Sequence, residues 1–405
     1  MSLLGRSDNG ATRAQEFLAD SIPEWPQLPA KVIIEKSAFD NYEGDLEMLK
    51  ARCDTIAAEL KKCPEAFETE AGCDLEYADV YRLTSDGLRS RTSMKEISID
   101  ANAIYLASNG KIFGGGCDDW VFDAGDLLPT DSLITRLGKA AYKMKHRKDP
   151  PITKGTDYVG PVLCEGNRVE GQLYFNVDRE TNIAHYIHSK LNYEDRTYKK
   201  TYQRLGERVV NKNISVWQLG NDSVYNGRHF RNCHKYDADG IQPATVELIR
   251  DGVLINQLAG RVPTPIARKS TGNEKLQRSS SRFITTEYEN ALLRISFRKT
   301  MSRKSLVRKL IKLARKQNLK YAYIVGSDNI IRINTKTKEQ EEFRSYCNIV
   351  PSRLRLLGDM WASKENAVDY DESVIYPNSV LFPLVEMTIK PHMPVSAGRF
   401  ANLRH

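Results

Sequence analysis

Several features are scarce or missing in this chain of 405 residues, and each absence closes a class of explanation. No apolar run approaches the roughly 18 residues that cross a bilayer as a helix, so no membrane partner is expected. The N-terminus has no basic segment followed by an apolar one, so no secretory signal is expected either. There are seven cysteines, an odd number, and no Cys-x-x-Cys pair. Cys53, Cys63 and Cys73 lie too far apart for a zinc ribbon. Thiols in a reducing compartment fit this usage, and a cytoplasmic location is expected. No Gly-x-Ser-x-Gly elbow is present for a serine nucleophile. Gly114-Gly115-Gly116 lacks the Lys and Ser/Thr of a phosphate-binding loop and reads as a flexible turn. No internal repeat and no long low-complexity tract occurs.

What is present is ordinary globular composition, 40% hydrophobic and 28% charged, on a length that suits about two or three domains. The net charge of +8 is unevenly spread. Arg294, Arg298, Lys299, Arg303, Lys304, Arg308, Lys309, Lys312, Arg315, Lys316 and Lys320 crowd one stretch. Leu306, Leu310, Ile311 and Leu313 recur there at helical spacing, with Ser302 as N-cap. The basic side of this helix, near residues 302–320, is either a solvated face or a surface for nucleic acid or an acidic protein. No aromatic-rich RNA motif or zinc finger accompanies it.

In chain order, residues 1–30 read as a loose lead-in. Residues 31–150 read as an N-terminal α/β domain, with a strand near Val32–Glu35 and a helix over Asp45–Lys62. Strands follow at Tyr77–Leu83 and Leu88–Ala101, and a helix over Leu133–Lys145. His146–Gly155 is the best linker candidate. A strand at Gly160–Leu163 then opens into a helix from Glu165, and Thr181–Leu191 is a weaker helical stretch. Strands are expected over Val209–Leu219, Phe283–Phe297, Tyr321–Val325, Ile330–Asn334 and Val374–Lys390, with Pro377 and Pro383 at edges or bends.

The stretch Lys235–Asn273 organises the C-terminal part. An acidic turn, Asp237-Ala238-Asp239-Gly240, leads to a strand over Ala244–Arg250. Asp251-Gly252 signals a two-residue hairpin turn, because both positions tolerate positive φ. Val253–Leu258 returns, and an irregular loop runs to Lys269-Ser270-Thr271-Gly272-Asn273. This order of features resembles the TldD/PmbA family of metallopeptidase-related proteins, formerly called modulators of DNA gyrase. Tyr158–Gly166 (YVGPVLCEG), LGERVV, LKYAYIV and SVIYPNSVLFPLVEM resemble further segments of that family, in its order, over roughly residues 75–390. The resemblance implies an α+β fold: an N-terminal mixed α/β region packed on a C-terminal, largely antiparallel β domain over residues 156–395.

Active members of that family carry His-Glu-x-x-x-His on the helix after the Gly-Pro-Val-Leu strand. The two His bind a metal, zinc in active relatives, and the Glu is general base on the metal-bound water. A Cys near the C-terminus completes their site. Here the resemblance places Glu165 and Glu170 at the His positions and Gly166 at the base position, and no Cys follows Glu386. Glycine has no side chain to take a proton. The resemblance therefore implies no catalytic residue and no cofactor, but a non-catalytic subunit in peptide proteolysis or maturation. Its partners would be a peptide or unfolded segment, and an active family member or a second copy as the other half of a dimer. Gly272, Asn273 and Asp239 are the candidate peptide-binding residues, since glycine admits close approach and asparagine can both donate and accept. Two alternatives stay open. One is a relocated metal site on His185, His188, Cys233 and His234. The other is binding of nucleic acid or acidic protein through the basic helix.

Overall fold

The computed structural model describes residues 28–62, 66–106, 112–145, 156–182, 205–220, 222–261, 269–278, 284–288, 290–327, 329–343, 345–350 and 353–390. The chain divides into two compact units. The smaller contains Ala30–Asp157, and the larger Tyr158–Glu341 together with Ile349–Met387. The linker candidate His146–Gly155 and, of the expected helical stretch Thr181–Leu191, residues 183–191 lie outside the described residues.

The smaller unit runs β1 (Lys31–Ile34), α1 (Tyr42–Leu60), β2 (Ala66–Leu83), β3 (Leu88–Leu106), β4 (Ile112–Val121) and α2 (Thr130–Lys145). The long strand β3 is its spine. β1 lies parallel to the first residues of β3 and β4 antiparallel to the last, while β2 runs antiparallel along almost the whole length. Alternation in β3 puts Ile97, Ile99, Ala101 and Ala103 on one face, where Leu49, Ile56 and Leu60 of α1 and Leu133 and Leu137 of α2 cover them. The triple glycine is not a turn. Gly114, Gly115 and Gly116 sit inside β4, paired with Ile104, Ala103 and Asn102. A β-carbon on Gly116 would collide with the Asn102 amide, so close packing, not flexibility, calls for glycine there.

The larger unit runs β5 (Thr156–Glu165), α3 (Asn167–Thr181), β6 (Ile214–Gln218), β7 (Val224–Tyr225), β8 (Arg228–His229), β9 (Val246–Arg250), β10 (Val253–Leu254), β11 (Glu274–Arg278) and β12 (Ile284–Tyr288). The chain continues with β13 (Leu293–Phe297), β14 (Thr300–Met301), α4 (Arg303–Lys316), β15 (Tyr321–Val325), β16 (Ile330–Asn334), β17 (Gln340–Phe343), β18 (Tyr346–Ile349), α5 (Arg353–Leu357), β19 (Trp361–Ser363), β20 (Asn366–Asp369), β21 (Val374–Pro377) and β22 (Ser379–Lys390), of which Glu342–Asn348 and the last residues of β22 group with the smaller unit. One sheet has the order β10-β9-β6-β13-β21-β20, and a second has β14-β19-β22-β5-β15-β16-β17. Antiparallel pairs predominate, with parallel contacts at β13–β21, β14–β19 and β5–β15.

The hairpin turn forms as its sequence demands. Asp251 and Gly252 both have positive φ, 47° and 83°, and Val253 pairs with Arg250. A β-carbon on Gly252 would lie 2.5 Å from the Val210 carbonyl oxygen, so the position is closed to other residues twice over. The return strand ends at Leu254, because Ile255 and Asn256 turn their N–H groups back to the Leu248 carbonyl. The span Phe283–Phe297, expected as one strand, is two: β12 pairs with β11 in a separate ribbon, while β13 joins the main sheet. Pro383 lies within β22, which is flanked by β19 and β5, not on an edge. Helix α4 is capped by the Ser302 hydroxyl, which accepts from the Ser305 N–H. Leu306, Leu310 and Ala314 are fully buried against Leu163, Ala322, Ile324, Ile333 and Leu381. Burying each leucine contributes about 2 kcal/mol.

Candidate functional site

The first locus is the junction of β5 and α3, where the catalytic motif was sought. Val162, Leu163 and Cys164 are fully buried and leave Glu165 as the last strand residue. Gly166 caps α3 with φ 58° and ψ −138°, and its N–H donates to the Asn378 carbonyl at 2.9 Å. A β-carbon there would sit 2.9 Å from the Ser327 hydroxyl. Glu165 is held in a fork by Arg303, whose Nε and Nη2 donate at 2.7 and 3.1 Å, and Ser379 Oγ donates at 3.3 Å. The sequence offered no hint of Arg303 as its partner, because the two are separated by 138 residues.

Glu170, in the first turn of α3, is buried. Burial first, then the charge of Asp369 and a hydrogen bond to it, then Glu372 and Asp371, push its carboxyl up to about 8. Glu372 is raised as well, by burial and by Asp369. Tyr174, one turn along α3, donates to Asn290 Oδ1 at 3.0 Å, and its hydroxyl draws the Glu372 carboxyl down against burial. A carboxyl raised to about 8 can give or take a proton near neutrality, the range useful in general acid–base chemistry. Asp369, Asp371 and Glu372 were missed in the sequence, although the dense run Asp369-Tyr370-Asp371-Glu372 was there to be seen.

The second locus is the acidic turn with the Lys269–Asn273 loop. Asp237 Oδ1 accepts from the N–H groups of Asp239 and Ile241 at 2.9 and 2.8 Å, closing the turn on itself. Burial, reinforced by the neighbouring Asp239 charge, outweighs those bonds and pushes the Asp237 carboxyl up to about 7. Asp239, Gly272 and Asn273 are all buried. Asn273 and Gln218 form a two-way amide pair: Gln218 Nε2 donates to Asn273 Oδ1 at 3.1 Å, and Asn273 Nδ2 donates to Gln218 Oε1 at 2.6 Å. Thr271 Oγ1 adds a third bond to Asn273 at 2.6 Å, and the Ala291 N–H binds Gln218 Oε1 at 3.1 Å. The Asn273 amide thus pins the loop to β6 from within.

Cys233 and His234 turn to the backbone. Cys233 Sγ lies 3.3 Å from the Ala291 carbonyl. The two ring nitrogens of His234 each lie 2.9 Å from a carbonyl, those of Asn232 and Gly272. His185 and His188 lie outside the described residues. Among the described residues, no three His, Cys, Asp or Glu side chains converge to hold a metal ion. At the strand–helix junction the positions of a zinc site are compromised, since Glu165 is engaged by Arg303 and Gly166 has no ligand atom.

With this geometry in hand, the chain can be set beside solved structures. It superposes on a proposed modulator of a DNA gyrase from Thermotoga maritima with a TM-score of 0.58 and 13% identity, over 91% of this chain and 80% of that one. TldE from Thermococcus kodakarensis gives 0.54 and 16%, over 91% and 79%. A further proposed modulator of DNA gyrase, from Bacteroides thetaiotaomicron, gives 0.53 and 12%, over 92% and 78%. The fold is that of the TldD/PmbA proteins. No family model and no curated protein matches the sequence. At 12–16% identity a TldD/PmbA fold is shared architecture, and chemistry has to be argued from the site. Among the described residues no helix is long and apolar enough to cross a membrane.

Proposed function

We propose that this chain is a non-catalytic, peptide-gripping member of a TldD/PmbA-type assembly, paired in the cytoplasm with a catalytic relative or with a second copy. One observation carries the reading. At the strand–helix junction the backbone of Gly166 adopts φ 58°, which side chains rarely tolerate, and a β-carbon there would lie 2.9 Å from the Ser327 hydroxyl, which would have to turn away. A general base at that position would need a strained backbone and a displaced neighbour. Beside it, the Glu165 carboxylate, at one of the two ligand positions, is neutralised by the Arg303 fork. The peptide would run along the loop at exposed Lys269 and half-buried Ser270. Gly272, Asn273 and the buried Asp239 would set the shape of that surface from below.

The test is a pull-down from cell extract with identification of co-purifying chains, together with peptide hydrolysis by the purified protein. Recovery of a relative bearing His-Glu-x-x-x-His, and no hydrolysis by the chain alone, are the expected results. Hydrolysis by the purified chain that a chelator stops would overturn the reading.

A further inference from the structure

The exposed side of α4 has no task in the reading above. Lys304, Arg308, Lys312 and Lys316 recur every fourth residue and are all exposed. Each step climbs about 6 Å along the axis and turns about 40°, so the four cations form one slowly winding stripe. No acidic residue occurs anywhere in the helix. None of the four is ion-paired with a described carboxylate, and like charges at this spacing repel by a few tenths of a kcal/mol per pair. The other basic residues of the helix are engaged, and they fix it in place. Arg303 grips Glu165. Lys309 lies 3.9 Å from the centroid of the Trp361 ring. Arg315 donates to the carbonyls of Thr335 and Lys336 at 2.6 and 3.4 Å. That last contact brings the β16–β17 turn, with exposed Lys336 and Lys338, to the C-terminal half of the stripe. Glu339 in the same turn accepts a bond from Thr337.

We infer that this stripe binds the phosphate backbone of nucleic acid without reading its sequence. Two features separate this occupant from other polyanions. A membrane-surface helix offers its apolar face to lipid, whereas here that face is spent on the core through Leu306, Leu310 and Ala314. A protein partner is anchored by exposed aromatic or aliphatic side chains; neither the stripe nor the turn with Lys336 and Lys338 has one, and the exposed Leu384 follows Pro383, whose carbonyl accepts from Gln317 beyond the end of the stripe. A rigid row of evenly spaced cations with no apolar anchor and no base-stacking ring suits a uniform phosphate chain.

The experiment is fluorescence anisotropy of a labelled 30-base-pair duplex titrated with the whole protein. Four phosphate contacts predict a log–log salt slope of about −3 to −4, hence about a hundredfold loss of affinity between 50 and 200 mM salt. R308E/K312E is expected to weaken binding at least tenfold. K50E/K139E, which removes the same charge at exposed positions of the smaller unit, should change it less than threefold. If the reversal variant melts early, R308Q/K312Q replaces it with the same ordering of effects. Polyglutamate and phosphatidylserine vesicles, at equal charge concentration, should fail to displace the duplex. No measurable binding at 50 mM salt, equal losses in the two reversal variants, or displacement by either competitor would overturn the assignment.

Discussion

Asp45 and Glu170 are near twins by position and opposites by chemistry. Each is an acid in the first turn of a helix, one in each unit, and each is almost fully buried. Burial raises both carboxyls. Around Asp45 that effect is outweighed by Lys95 at 2.5 Å, by the Tyr77 hydroxyl and by Asn41 Nδ2 at 3.0 Å, and the carboxyl ends below its usual range. Around Glu170 the neighbours are Asp369, Glu372 and Asp371, and the carboxyl ends near 8. Desolvation has the same sign at both places, so the neighbours decide whether the buried acid is a structural ion or a proton store.

The sharpest way to break this contrast is to remove the cation. Lys95→Met should destabilise the smaller unit by about 3 kcal/mol, because it strands a buried carboxylate, and denaturant unfolding followed at Trp120 would measure it. A loss under 1 kcal/mol would mean that the Tyr77 and Asn41 bonds suffice. Next, Glu170→Gln should leave stability at pH 5 nearly unchanged and raise it by about 2 kcal/mol at pH 9. The sign follows from a folded carboxyl that titrates well above the unfolded one. Its stabilising proton is fully present below about 4.5, and the benefit is lost as pH rises through about 8. Asp45 must behave in the opposite way: its contribution is present above about 3.8 and disappears as pH falls through its lowered folded value. A wild-type melting temperature that stays flat from pH 6 to 9 would contradict the Glu170 half of the contrast.

Asp237 offers a milder case, because its own backbone bonds work against burial. Asp237→Asn should flatten the decline of stability that wild type shows between pH 4 and 7, an effect of about 1 kcal/mol in a pH-melting series. The smallest effect belongs to the half-exposed fork. Glu165→Gln should cost about 0.5 kcal/mol at low salt, and less in 1 M salt, where screening already weakens the pair. A cost that does not shrink with salt would assign Glu165 a role beyond charge.

Local signals in the sequence were legible wherever the cause is local. Ser302 followed by Leu306 and Leu310 specifies a capped amphipathic helix, and that is what α4 is. Asp251-Gly252 specifies its turn through two residues that accept positive φ. The misreadings arose where a neighbour distant in sequence decides. Gly114–Gly116 looks like punctuation until β3 is laid against it and the Asn102 amide claims the space of a side chain. Asn273 has the chemistry of a ligand-binding amide, yet Gln218, 55 residues earlier, takes both of its hydrogen-bonding ends. Glu170 stands in the sequence only at a ligand position of the resembled motif, and nothing within a turn of it announces Asp369 and Glu372.

The sequence by itself settled the periodicities, caps and turns, and with them which segments could be helix or strand, because those depend on residues a few positions apart. It also settled that the residue between Glu165 and Asn167 has no side chain to act as a base. Only the tertiary structure decided which acids meet, that an arginine 138 residues away closes on Glu165, and which cations of α4 are left facing solvent. Charge and burial are properties of neighbourhoods, and a neighbourhood exists only once the chain has folded.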